Sequence, residues 1–104
     1  MAIDREKLKP FAKEILTRLE EGFCDEISDA TPAQKEAVIK VAVYSAKVGG
    51  MAIFGKTTGK AVAYLDLMIT HDLGFIAKEK ARRIVLNSIS GACGGLLKTA
   101  LAFA

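Results

Sequence analysis

At 104 residues the chain is the size of one domain, and 51% hydrophobic against 26% charged residues excludes intrinsic disorder. A net charge of +3 is too small to argue for nucleic acid by itself, although a pI near 9.0 leaves room for an anionic partner. One histidine and two distant cysteines, Cys24 and Cys93, do not compose a metal-ligand set; the thiols are expected buried and reduced, with no cofactor.

The charge is laid out unevenly. Residues 1–36 carry six Lys/Arg against nine Asp/Glu, a balance of −3, whereas residues 37–104 carry nine against three, a balance of +6. The second part is also the greasier one, and mean hydropathy over the chain is +0.26. A domain of this length buries only about two thirds of the surface its unfolded chain exposes. The apolar surplus is therefore expected to meet a second copy, another protein or a lipid surface. The start Met1-Ala-Ile-Asp-Arg-Glu-Lys7 is charged where a secretory signal needs an apolar core, so a cytoplasmic protein is expected.

The first segment spans about Asp4 to Ile27. Leu8, Phe11, Ala12, Ile15, Leu16, Leu19, Phe23 and Ile27 recur at three- and four-residue spacing, which predicts an amphipathic helix. Glu14 and Arg18 are placed for an i,i+4 ion pair, and Pro10 predicts a kink or a separate first turn.

In the second segment Thr31 is a good N-cap, Pro32 suits the first helical position, and Gln34 completes a capping box. The run from Ala37 to Val48 leaves only a thin charged stripe of Glu36, Lys40 and Lys47. Its valines would also suit a buried strand, but the cap and the length favour a helix, ended or bent at Gly49–Gly50.

The third segment, about Thr58 to Leu73, sets Val62, Tyr64, Leu65, Leu67, Met68 and Ile69 against Lys60, Asp66 and Thr70, with Gly74 as its C-cap. The fourth begins near Ile76 with the basic run Lys78 to Arg83. Its apolar stripe is Ala81, Ile84, Val85, Ile89, Ala92, Leu96, Ala100 and Phe103, and Asn87, Gly91, Gly94, Gly95 and Lys98 line another face. Short links imply antiparallel neighbours. The expected fold is all-α: about four helices in one compact bundle or array, with segment two or three central and segment one covering one side.

Small residues recur four apart: Ala42, Ala46 and Gly50; Gly55 and Gly59; Gly91 and Gly95, with Gly94 beside the last. That interval lets helix backbones approach closely, whether inside one molecule or between two. Glycine within a helix costs about 1 kcal/mol relative to alanine, so three within Gly91–Gly95 require a compensating contact or a break.

Gly50-Met-Ala-Ile-Phe-Gly55-Lys56-Thr57 matches the phosphate-binding pattern GxxxxGK[ST]. In such a loop backbone N–H groups curl around phosphate and a strand precedes. Here Met51, Ala52, Ile53 and Phe54 seek burial, and the preceding segment carries a helix cap. Asp66, after an apolar run, imitates a magnesium ligand but follows Thr57 by only nine residues, too few for a crossover. The pattern reads as a joint between helices.

His71 beside Asp72 lacks a recognisable nucleophile, and the helix C-terminus accounts for it. Lys78, Lys80, Arg82 and Arg83 could grip an anionic partner; no aromatics interleave to stack on bases, so nucleic acid is not favoured. Ile84 to Ala104 is long enough to span a bilayer, but it includes Asn87, two serines, three glycines and Lys98. Lys40 and Asp66 similarly interrupt the other apolar segments. Two classes of function follow. The first is a non-enzymatic helical protein that associates with itself or another helical protein through Gly/Ala-lined faces. The second is a helical protein docked on or acting at an anionic membrane, like a bacteriocin, immunity or pilin subunit.

Overall fold

The computed structural model describes residues 8–53 and 59–93. Of these, 86% are helical and none is in a strand. The elements are α1 (Pro10–Gly22), α2 (Cys24–Ser28), α3 (Pro32–Ile53), α4 (Gly59–Asp72) and α5 (Lys78–Cys93). The all-α expectation holds, and the described residues form four longer helices and one short one.

Pro10 opens α1 at a position where a missing N–H costs nothing, so it starts the helix without kinking it. Lys13 N–H donates to the Lys9 carbonyl at 3.0 Å. Ala12, Ile15, Leu16 and Leu19 face inward as the spacing requires. A single helix through Ile27 does not form. Gly22 is a weak helix residue, and Phe23 (φ −103°, ψ 23°) turns its ring fully into the core before the short α2 begins. In α2 Ile27 packs inward while Cys24 faces out. Of the two thiols expected buried, Cys24 is thus exposed and free, and the Cys93 side chain lies outside the described ones.

At the start of α3 the capping box is complete. Gln34 N–H donates to Thr31 Oγ1 at 3.1 Å, and Thr31 N–H donates to Gln34 Oε1 at 2.9 Å. Gly49 and Gly50 do not end this helix, which runs on to Ile53. Gly49 is buried where α1 and α5 meet α3: a Cβ on it would lie 3.1 Å from the Phe11 ring and 3.3 Å from Ile89 Cγ2. Close packing there offsets the helix cost of glycine.

The inter-helix contacts set the topology. Phe11 meets Gly49, Tyr44 meets Ala61 and Tyr64, Asp66 meets Arg82, and Gly22 meets Ile84. The pairs α1/α3, α3/α4, α4/α5 and α1/α5 therefore run antiparallel. Central α3 packs on α1, α4 and α5, which is how a helix apolar nearly all round hides most of its surface. Val38, Val41, Ala42 and Val48 lie in one core with Ile15, Leu19 and Phe23 of the first part, Leu65 and Ile69 of α4, and Val85 and Ile89 of α5. Leu73 and Ile76, buried in the α4–α5 turn, close it at one end. Gly74, the expected C-cap, lies in this turn without left-handed backbone geometry. The radius of gyration, 12.7 Å, is that of a single compact body of this length, about 13 Å.

Candidate interaction surface

In α4 the buried stripe is Ala61, Leu65 and Ile69, at four-residue spacing. A helix turns about 100° per residue, so Tyr64 stands about 100° and Leu67 about 160° round from Leu65 on the same side. Both end outside, Tyr64 55% and Leu67 65% exposed. Across the seams from α4 lie Val43 of α3, 41% exposed, and Leu86 of α5, 39% exposed. α4 is thus a ridge that carries apolar side chains into solvent, with partly open apolar seams on either side.

Between α3 and α4 is a shallow trough of Lys40, Val43, Tyr44, Lys47, Tyr64 and Met68. The Tyr44 and Tyr64 rings meet at 5.0 Å and 58°, a tilted aromatic contact. The Tyr44 hydroxyl reaches the Ala61 carbonyl at 3.5 Å. Beyond Val43 and Lys47 a second hollow, about 470 Å³, opens onto Leu8, Phe11, Ala12 and Ala46. Its other lining residue is Lys9, so among the described residues lysines are the sole charged groups lining either hollow.

The small residues singled out from sequence are dispersed. A four-residue step overshoots one turn by about 40°, so the row Ala42, Ala46, Gly50 drifts off the core. Ala42 is fully buried, Ala46 half-buried in the second hollow, and Gly50 half-buried with nothing within 4 Å of its would-be Cβ. Gly91 is exposed under the Arg18 guanidinium, whose Nη1 would lie 2.6 Å from a Cβ there. Gly94 and Gly95 lie outside the described residues, as do Gly55 and Lys98. Apolar side chains instead press on two other glycines: Gly49 lies under Phe11 and Ile89, and a Cβ on Gly22 would meet Ile84 Cγ2 at 2.5 Å.

Two members of the basic run are used internally. Arg82 donates through Nε and Nη2 to both carboxylate oxygens of Asp66, at 2.5 and 2.6 Å. That bond lowers the Asp66 pKa and raises that of Arg82; burial opposes both shifts. Lys80 is ion-paired with Glu26 of α2, which lowers the Glu26 pKa. Lys78 and Arg83 are exposed and make no ion pair with a described residue, although the Lys78 charge also favours ionised Asp66. The four cations therefore do not form one open anion-binding patch.

His71 Nδ1–H donates to Asp72 Oδ1, 2.9 Å away, beside Glu36 and Lys40. No Ser, Thr or Cys lines this hollow among the described residues. No group of three or more His, Cys, Asp or Glu among the described residues could hold a metal ion. Gly50 to Ile53 are helical, not a phosphate-cradling loop. No helix of the described residues is long and apolar enough to cross a membrane.

The sequence reading missed Tyr64, Leu67, Val43 and Leu86 as the exposed apolar set. For Tyr64 and Leu67 the signal was the width of the apolar arc on segment three, too broad for one buried stripe. Compared with known proteins, the chain matches no family model, no curated protein and no solved structure.

Proposed function

We propose that this chain is a non-enzymatic helical protein that acts by protein–protein association, with the α3–α4 face as its contact surface. One exposed leucine is ordinary, but neighbouring large apolar side chains over open hollows are the usual mark of an interaction site. The supporting observation is the exposure of Tyr64 and Leu67 on α4 beside Val43 on α3. Ala46 and Gly50, half-buried on the flank of α3, add room for close approach of a second helix. The partner is a second copy or another helical protein, in the helix-in-groove manner.

Light scattering coupled to size exclusion, repeated with Val43→Glu and Tyr64→Glu, tests the reading. Both positions are exposed, so circular dichroism should stay helical while association is lost. Association untouched by either change would move the contact elsewhere on the molecule. A second reading, docking on an anionic membrane, is favoured by Lys40 and Lys47 beside exposed Tyr64. Sedimentation with phosphatidylserine vesicles separates the two.

A further inference from the structure

The hollows on the α3–α4 face differ from ordinary apolar surface in their charge. Lys40 and Lys47 stand seven residues apart on α3, two helical turns or about 10 Å. Between them half-buried Tyr44 and Met68 line the trough, with Val43 and Tyr64 on its margins. No carboxylate of the described residues lines it; Glu36 and Asp72 appear only past Lys40, in the neighbouring polar hollow. The second hollow repeats the pattern, apolar with Lys9 and Lys47. Neither Lys40 nor Lys47 makes an ion pair with a described residue, whereas Lys80 and Arg82 both do.

We propose that the occupant of this face is an acidic amphipathic helix of another protein, lying along α3 in the trough. Such a helix presents apolar residues at i, i+3/i+4 and i+7 to Tyr44, Met68 and Val43. Its flanking carboxylates, also two turns apart, then meet Lys40 and Lys47. The inference rests on the association reading above and adds the chemistry of the partner.

Two other occupants fit less well. A second copy laid face to face would set lysines against lysines. The acid-rich helix of a second copy, α1, already buries its apolar stripe of Ala12, Ile15, Leu16 and Leu19 in its own core. A flat bilayer would reach protruding Tyr64 and Leu67 but not the recessed Tyr44 and Met68.

The probe is a synthetic 18-residue amphipathic helix with leucines on one face and glutamates flanking them, alongside the same peptide with every Glu replaced by Gln. Fluorescence anisotropy should show saturable binding of the Glu peptide, weakened about five- to tenfold by the Gln exchange. The double variant Lys40→Ala/Lys47→Ala should weaken the Glu peptide similarly and leave the Gln peptide unchanged. Val43→Glu should abolish binding of both. If the Gln peptide binds as tightly as the Glu peptide, the acidic partner is wrong while the association reading survives. If light scattering finds a dimer that Val43→Glu dissolves, a second copy is the occupant. Where neither peptide binds and vesicles sediment the protein in a Leu67-dependent way, both the proposal and the association reading give way to lipid. Absence of peptide binding, dimer and vesicle binding together overturns both as well.

Discussion

Arg82 grips Asp66 across the α4–α5 seam through two of its nitrogens, in the fork-on-carboxylate geometry that fixes direction as well as distance. α4 carries the exposed apolar ridge, so this pair holds the candidate surface against the rest of the bundle. The carboxylate pKa lies below its ordinary value of about 4 because the guanidinium favours the charged form. A depressed pKa means that the stabilisation is present above the unfolded value and is lost as pH falls through the folded one. Thermal melts of wild type and Asp66→Asn should therefore differ at pH 6, with wild type higher. The two should converge as pH drops below about 4. A gap that persists undiminished to pH 2 would mean the charge is not the cause.

Glycine substitutions should separate by location. Gly50→Ala meets nothing and gains helix propensity, so stability should rise by up to about 1 kcal/mol. Gly22→Ala drives a methyl into Ile84 and should cost about 1–3 kcal/mol. In the double variant Gly22→Ala/Ile84→Ala the clash is relieved, so the losses should be less than additive. Urea midpoints measure all of these.

Thr31→Ala removes the hydroxyl that caps α3 and should destabilise by about 1 kcal/mol. Gln34→Ala should lose less, since it leaves that bond intact and exposes only the Thr31 N–H to water. Equal urea midpoints for Thr31→Ala and wild type would show that α3 is held by packing alone.

Isothermal titration with ATP or GTP should give no saturable heat, and Lys56→Ala should leave that result unchanged. The reason is the helical run from Gly50 to Ile53, whose N–H groups are in the helix direction and not curled around a phosphate. Micromolar binding that Lys56→Ala abolishes would contradict this.

Helix type and inward faces were legible because they depend on local spacing. The stripe Ala12–Ile15–Leu16–Leu19 and the Thr31–Gln34 cap appear where the residues place them. What needed three dimensions was the fate of each glycine. Gly49 and Gly50 are identical in sequence terms, yet one lies under Phe11 and Ile89 and the other faces open space. Only the crossing of α1 and α5 over α3 distinguishes them. The candidate surface was hidden similarly: Leu65 and Leu67 are both leucines in one apolar run, and only the packing of α3 and α5 decides which is covered. The pairing of Lys80 and Arg82 with acids 54 and 16 residues earlier is equally non-local.

Gly49 has an influence beyond its own burial. The Phe11 ring rests on its bare Cα side, and the same ring lines the hollow between α1 and α3. A single methyl at position 49 would press on the ring and require it to give by a few tenths of an ångström, with no surface residue changed. The shape of the candidate surface is thus moulded from beneath, by a residue that lies inside the core.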